Sequence, residues 1–232
     1  MAISQFGLGT AQNTSTSTLS LASLSVTSTN CIVVIVVERN ATGATGTVAD
    51  SALNTYGTPI SYPLDGSTAN GVVQIFWAPN NTALSSGSIT YTKAVSGSKT
   101  AMSIFYLTGC DTVAPVRQYA TAKTDYAAAT NPSTTINGIR ATDFVVGVCG
   151  GDGTGSSFTE DTFFIGINTE IKTGTTSTDA RINPGYQQSS GTSMTRAPTF
   201  NASATGTQIL AAFITPGTGG SPTGFFNFFG GP

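Results

Sequence analysis

Short runs of β-branched and aromatic residues alternate along this chain with clusters of Gly, Asn, Ser, Asp and Pro. Each run is long enough for one strand and each cluster suits a turn, which is typical of an all-β sandwich. The pattern favours a helix at one place only, beginning near Asp125 and ending at Asn131-Pro132. The runs that we predict to be strands are Ile3–Leu8, Thr18–Val26, Cys31–Glu38, Gly46–Asp50, Gly71–Ala78, Gly87–Lys93, Thr100–Leu107, Asp143–Cys149, Thr162–Ile167, Ala180–Ile182, Thr195–Phe200 and Gln208–Thr215.

Two kinds of predicted strand differ in how many faces they bury. In one run, Ile89 and Tyr91 alternate with polar residues, as in an antiparallel strand that has one face in water. The runs Cys31–Val37 and Phe144–Cys149 are instead apolar at nearly every position. We expect these two to be central strands, covered on one side by a second sheet and on the other by a partner subunit.

The chain of 232 residues fits a single all-β domain, and no shift in composition divides it before Pro216. We therefore predict a two-sheet antiparallel β-sandwich, of jelly-roll or immunoglobulin-like type, over residues 1–215. Residues 216–232 have the composition of a Gly-rich linker followed by a Phe-rich arm.

Charged residues are scarce, at 9% of the chain against about 25% in typical soluble domains. With 9 basic and 11 acidic residues, the chain lacks the basic surface that binds nucleic acid. It has no histidine, which is the commonest general base and metal ligand. Cys31, Cys110 and Cys149 match no zinc or redox spacing and are expected to be buried as small apolar residues. We therefore expect a protein that is not an enzyme and that carries no cofactor or metal.

The first residues lack the basic start and the long apolar core of a secretory signal. The longest apolar run, Cys31–Val37, is far shorter than the roughly 20 residues that span a bilayer. We expect a protein that is made in a cytoplasm and is not inserted in a membrane.

Three arrangements similar to catalytic or ligand-binding motifs have plainer interpretations. The segment Ser96–Lys99 spells Ser-x-x-Lys, but it lies in a Gly/Ser turn without the companion motifs of that nucleophile. Glu160 and Asp161 are adjacent, so in a strand they would face opposite ways instead of pairing across a groove. The Gly-rich segment 150–157 lacks the lysine of a phosphate-binding loop. A calcium loop formed by Asp152, Glu160 and Asp161 is the alternative to a long hairpin loop there.

Three tyrosines, Tyr119, Tyr126 and Tyr186, are flanked by residues typical of loops. Exposed side by side, they would form an aromatic platform for a glycan. The plainer interpretation is that they are scattered over the surface.

The strongest anomaly in the sequence is the group Phe225, Phe226, Phe228 and Phe229, which follows a Gly-rich linker. Burying one Phe side chain is worth about 1.5–3 kcal/mol, so leaving four in water would forgo several kcal/mol. The arm is therefore expected either to fold back over its own sandwich or to dock on a neighbouring subunit. The linker is long enough to reach another chain, so we predict that these residues form an interface.

Four sequence blocks follow one another in the chain: Thr47–Tyr56 (TVADSALNTY), Ile75–Asn80 (IFWAPN), Ser88–Thr92 (SITYT) and Ile104–Asp111 (IFYLTGCD). In order and spacing they resemble a β-sandwich domain that recurs in virion proteins of tailed phages and in bacterial surface proteins. The pattern of that family reads V-x-D-S-x-G-N-T-Y, W-Y-A, T-V-T-V-T and E-Y-S-G-L-D. The resemblance extends from Met1 to about Pro216. Leu53 stands where the family has Gly, and Phe105–Gly109 lacks the family's Glu.

Some residues of these blocks have expected structural roles. Asp50 and Asn54 suit the capping of a tight turn by their own side chains, after which Tyr56 would return to the sheet. Trp77, the only tryptophan, would fill the core where the two sheets meet.

The resemblance implies a non-enzymatic structural protein of a tailed-phage virion. It would be a capsid decoration (cement) or head-fibre subunit, assembled in the host cytoplasm and acting through protein–protein contacts. Its partners would be copies of itself, in a homo-oligomer such as a trimer, and a major capsid or other virion protein. The alternative is a carbohydrate-binding or adhesion module of a phage fibre or cell-surface protein.

Overall fold

A computed structural model describes residues 2–39, 44–152, 157–168 and 170–217. Within these ranges every regular element is a strand, and none of the described residues forms a helix long and apolar enough to cross a membrane. The strands are β1 Ser4–Asn13, β2 Thr18–Val26, β3 Cys31–Arg39, β4 Thr47–Asp50, β5 Ile60–Leu64, β6 Ser67–Ala78, β7 Leu84–Thr92, β8 Lys99–Thr108, β9 Val116–Ala129, β10 Thr134–Asn137, β11 Phe144–Asp152, β12 Phe158–Thr159, β13 Ile165–Gly166, β14 Ile171–Lys172, β15 Ala180–Gln188, β16 Ser193–Arg196, β17 Thr199–Phe200 and β18 Ala204–Phe213.

The strands form two large antiparallel sheets and three small ones. The central sheet has the order β1-β8-β3-β6-β5, and the second sheet has the order β13-β15-β11-β18-β9, with β14 also paired to β15. The cover sheet is β2-β7-β4, and two ribbons are formed by β10-β16 and β12-β17. The two large sheets enclose the largest apolar cluster between them, as in a β-sandwich.

Strand β3 shows why the central sheet is buried on both faces. Successive side chains of a strand point to opposite faces. Val33 and Ile35 therefore pack in the cluster shared with the second sheet, whereas Val34 and Val36 pack in the cluster shared with the cover sheet. The prediction of a central strand buried on both faces is confirmed. The second cover, however, is a sheet of the same chain, where we expected a partner subunit.

Strand β11 is buried in the same way within the second sheet. Val146 and Val148 face the central sheet, and Val145 packs on the opposite face with Ile136 of the β10-β16 ribbon. Cys149 is covered on that outer face by the β12-β17 ribbon. The small sheets thus allow both large sheets to be apolar on two faces.

The predicted helix near Asp125 is wrong, because this segment belongs to the long strand β9. Asp125 and Tyr126 pair with Thr207 and Gly206 of β18, whose backbone groups would otherwise lack partners on that side. Pairing along a sheet edge outweighs the weak helix propensity of a few alanines.

Other predicted strands differ from the structure in their bounds. Ala180–Ile182 lengthens to β15, and Thr195–Phe200 is divided between β16 and β17. The prediction Thr162–Ile167 shortens to β13, because the Asp161 carboxylate accepts the N–H groups of Phe163 (2.9 Å) and Phe164 (2.8 Å) and holds a turn there. Strand β5 was not predicted, since it is short and contains Pro63, which sheets tolerate at an edge.

Trp77 is half-buried and packs against the cluster between the two large sheets, so it lies at the margin of the core that we expected it to fill. The prediction that the cysteines are buried is confirmed, since Cys31, Cys110 and Cys149 are buried and free.

Candidate functional site

The turn after β4 is held by the carboxylate of Asp50, which is only 7% exposed. Its Oδ1 accepts the N–H groups of Ala52 (2.9 Å) and Asn54 (3.1 Å). Its Oδ2 accepts the Asn54 amide and the Tyr56 hydroxyl, both at 3.0 Å. The predicted capping of the turn is confirmed. Tyr56 itself lies outside any strand and does not return to the sheet as expected, because its hydroxyl is tied back to Asp50.

Burial, followed by the nearby charge of Asp50, raises the pKa of Tyr56 well above its ordinary value. The Tyr56 hydroxyl therefore stays protonated, and can donate to Asp50, even above the ordinary tyrosine pKa of about 10. The Asn54 side chain continues the network, since its Oδ1 accepts the N–H of Thr82 (2.6 Å) and its amide donates to the Thr82 carbonyl (3.1 Å). These hydrogen bonds hold the turn after β4 against the turn that follows β6.

Leu53 sits at the tip of this locked turn in the left-handed region, with φ of +59°, and its side chain is 89% exposed. A left-handed conformation costs a residue with a side chain about 1–2 kcal/mol, and an exposed leucine gains nothing from burial. The network around Asp50 imposes this conformation, so the exposed position of the Leu53 side chain is energetically unfavourable.

Leu53 forms one wall of an open groove of about 430 Å³ beside the turns that follow β4 and β6. Val113, which is 85% exposed, and the half-buried Trp77 are its other apolar residues. We call this feature the edge groove. Its remaining lining is uncharged and consists of Asn54, Thr55, Gly57, Pro79, Asn80 and Thr82.

The wall at Val113 is fixed by Asp111. The Asp111 Oδ1 accepts the N–H groups of Val113 and Ala114, both at 2.9 Å. The N–H groups of Ala114 and Val113 lower the pKa of Asp111, and the N–H of Gly217 acts in the same direction. The backbone N–H of Asp111 also donates to the carbonyl of Ile214 at 2.8 Å. The end of the described chain therefore lies beside this wall.

A second cluster, in the interior, is built on Arg196, which is fully buried. Its guanidinium holds Glu160 at two points, with Nε–Oε1 at 3.0 Å and Nη2–Oε2 at 2.6 Å. The guanidinium also lies 5.7 Å from the ring centre of Phe158 and 5.5 Å from that of Phe164. A Cβ on Gly185 would come within 2.5 Å of the Glu160 carboxylate, so a larger residue there would have to displace this ion pair.

Each of the three acidic residues considered for a calcium loop has its own place in the structure. Glu160 is paired with Arg196, Asp161 caps the turn at Phe163, and Asp152 ends β11. Among the described residues, no group of three or more His, Cys, Asp or Glu side chains is arranged to hold a metal.

The segment Ser96–Lys99 connects to two buried carboxylates. Lys99 binds Asp179, with Nζ–Oδ1 at 2.8 Å, and Ser98 donates to Glu38 at 2.6 Å. Glu38 is fully buried and also accepts the Tyr91 hydroxyl at 2.5 Å. These contacts give Ser98 and Lys99 structural partners.

Two of the three tyrosines of the glycan alternative, Tyr126 and Tyr186, lie on opposite faces of the second sheet. Tyr126 is 6% exposed, with its ring 5.9 Å from that of Phe200, so the expectation that it is exposed is wrong. Tyr186 lies in β15, half-buried, and stacks on Phe144 at 5.0 Å on the opposite face of the sheet. Pairing with β18 and β11 places both in the sheet instead of in loops. The side chain of Tyr119 lies outside the described residues.

The predicted interface residues Phe225, Phe226, Phe228 and Phe229 also lie outside the described residues. The edge groove was not predicted from the sequence, although Leu53 lies in the turn that Asp50 was predicted to cap. No known family model, no curated protein and no solved structure matches this chain.

Proposed function

We propose that this chain is a non-enzymatic structural protein of a tailed-phage virion, a capsid decoration (cement) or head-fibre subunit that acts through protein–protein contacts. In this proposal the sandwich is of jelly-roll or immunoglobulin-like type and the protein assembles in the host cytoplasm. The observation that carries it is the edge groove, where Leu53 and Val113 are 89% and 85% exposed beside Trp77.

Exposed apolar residues around a concave surface are typical of a contact site. Burying a leucine or valine side chain is worth about 1.5–3 kcal/mol. Two such residues together with Trp77 would supply an appreciable part of the roughly 8 kcal/mol that corresponds to micromolar binding.

The sequence blocks of the resemblance support this location of the contact. Leu53 and Asn54 come from the first block, Trp77 and Asn80 from the second, and all four line the edge groove. Val113 follows the fourth block closely. The part of the sequence that resembles virion and surface proteins therefore surrounds the proposed contact site.

The absence of charge among the lining residues of the edge groove predicts how the contact responds to salt. Screening weakens contacts between exposed charges, and it has little effect on apolar ones. Association of copies through this groove, or its contact with a capsid protein, would therefore vary little with ionic strength.

One observation favours the alternative of a carbohydrate-binding module. An aromatic ring flanked by amide and hydroxyl groups suits a sugar, and Trp77 lies beside Asn80 and Thr55 in the groove. The glycan site of this alternative would then be the edge groove, since Tyr126 is buried.

Light scattering on the full chain tests the proposal. We expect an oligomer whose fraction rises with protein concentration and changes little between about 50 and 500 mM salt. The groove variant, Leu53→Gly with Val113→Ser, should weaken association at least tenfold. Phe163→Ser is the matched control, because Phe163 is 67% exposed but lies outside the groove lining.

A wild-type chain that remains monomeric at all concentrations would contradict self-association. A glycan array separates the alternative function. Binding of one sugar class that is lost in the groove variant would favour the carbohydrate-binding module over the virion subunit.

A further inference from the structure

We propose that the edge groove binds the Phe segment, residues 225–229, of a second copy of this chain. The inference rests on the self-association proposed above and names the two surfaces that meet. The Phe segment contains four phenylalanines around Asn227, and residues 218–224 join it to the described part of the chain.

The chain reaches the wall of the groove shortly before this segment begins. The carboxylate of Asp111 accepts both the N–H of Val113, at 2.9 Å, and the N–H of Gly217. Ile214 is held at the same place, since its N–H donates to the Pro115 carbonyl at 2.7 Å. The linker therefore starts at the rim of the edge groove.

The length of the linker suits a short crossing between molecules. Residues 218–224 span at most about 25 Å when fully extended. This distance is enough to carry the Phe segment from the rim of one groove to the groove of an adjoining molecule.

The two surfaces match in chemistry. Residues 216–232 contain no charged residue, and none lines the edge groove. Phenylalanine rings would pack on the Trp77 indole between the exposed side chains of Leu53 and Val113.

The position of the linker favours a second copy as the source of the segment. Because the linker starts at the rim of the groove, two copies that face each other there place each linker beside the other's groove. Such contacts are reciprocal and close the assembly. The net charge of −2 adds little repulsion between copies.

A peptide titration tests the groove as the receptor. The tail variant is the full chain with all four phenylalanines of the segment changed to serine. Trp77 is the only tryptophan, so its fluorescence reports on the groove directly. A synthetic peptide of residues 218–232 should shift the Trp77 emission of the tail variant to shorter wavelength in a saturable way. Leu53→Gly in that background should weaken peptide binding at least tenfold, and Phe163→Ser should leave it unchanged.

Mixing two variants tests whether the segment comes from a second copy. The tail variant keeps its groove but lacks the segment, whereas the groove variant keeps the segment but lacks its receptor. We expect each to be monomeric alone and the mixture to form a heterodimer by light scattering.

Other outcomes overturn the inference. A peptide that leaves Trp77 emission unchanged shows that the groove is not the receptor. If the wild type is monomeric and the Trp77 emission moves to longer wavelength when the phenylalanines are changed, the segment docks on its own chain. This outcome also contradicts the proposed self-association. A tail variant that still forms the wild-type oligomer overturns this inference alone and leaves the proposed function standing.

Discussion

Arg196 and Leu53 both occupy environments opposite to those that their side chains usually prefer. Arg196 is fully buried, yet its guanidinium is held by Glu160, by the Asn183 carbonyl at 3.2 Å and by aromatic rings. Leu53 is 89% exposed and stands on a turn with a positive φ. The interior thus compensates a charge with several partners, whereas the edge groove leaves an apolar side chain in water.

The difference shows that the exposure of Leu53 does not come from loose packing of the chain. The same chain provides buried Glu38 with the hydroxyls of Tyr91 and Ser98 and with two backbone N–H groups. The turn that carries Leu53 is also fixed by a buried carboxylate, through the four hydrogen bonds to Asp50. The exposure of Leu53 is therefore set by an ordered network, which suits a surface that meets a partner.

The largest expected effect comes from breaking the buried ion pair. Arg196→Met leaves the Glu160 carboxylate, whose side chain is only 14% exposed, without its guanidinium partner. Removing one member of a buried pair typically costs about 3–5 kcal/mol. We expect a loss of about 3 kcal/mol in the free energy of unfolding, measured by urea denaturation.

The double variant Arg196→Met with Glu160→Leu is the control for this prediction. It removes both charges and should recover at least about 1 kcal/mol of the loss, because no unpaired buried carboxylate remains. A double variant less stable than Arg196→Met would show that the packing of the two side chains, and not their charge pairing, dominates.

A smaller effect, dependent on pH, is expected at Asp179. Burial would raise its pKa, but hydrogen bonds from Lys99 and Thr176 and the charge of Lys99 hold the pKa of Asp179 well below its ordinary value. The folded state therefore binds this proton more weakly than the unfolded state, whose pKa is about 3.9. The stabilisation is present above that pH and is lost as the pH falls towards the lower pKa of the folded state.

Asp179→Asn should consequently lose about 1–2 kcal/mol in the free energy of unfolding at pH 7, because it loses charge-assisted hydrogen bonds. The difference from wild type should shrink progressively below about pH 4. Urea denaturation at a series of pH values measures it. A difference that stays constant down to pH 2 would show that the ionised carboxylate is not what stabilises this loop.

The smallest expected effect on stability is at Leu53. Leu53→Gly relieves the left-handed strain but makes the unfolded chain more flexible, so the free energy of unfolding should change by less than about 0.5 kcal/mol. The buried Leu64 is the matched control, since Leu64→Ala should cost about 2–5 kcal/mol. If Leu53→Gly destabilises the chain as strongly as Leu64→Ala, the Leu53 side chain stabilises the fold. Leu53 would then not differ from the interior in the way described for Arg196.

Features that depend on local sequence were predicted well. The runs that became β3 and β11 are apolar at nearly every position, which only a strand covered on both faces tolerates. The Asp50 turn was predicted because an Asp side chain bonds to backbone groups a few residues on. Part of strand β9 was predicted to be a helix. The prediction failed because β9 pairs with β18, and this pairing joins residues far apart in the sequence.

The edge groove could not be predicted in the same way. Leu53, Trp77 and Val113 come from three separate segments, and nothing in any one of them indicates the other two. Likewise, Tyr126 was expected at the surface because its neighbours in sequence are small and polar. Its burial follows from the packing of Phe200, which arrives from β17.

The sequence alone determined that this chain is built from strands and turns, and which strands are covered on both faces, because side-chain alternation and turn chemistry act over a few residues. Only the tertiary structure decided that the chain covers its own central sheet, that Arg196 is paired inside it, and that Leu53, Trp77 and Val113 meet beside Gly217. These features depend on the order in which strands pair and sheets stack. That order depends on contacts between segments far apart in the sequence, and these contacts form only when the whole core is buried.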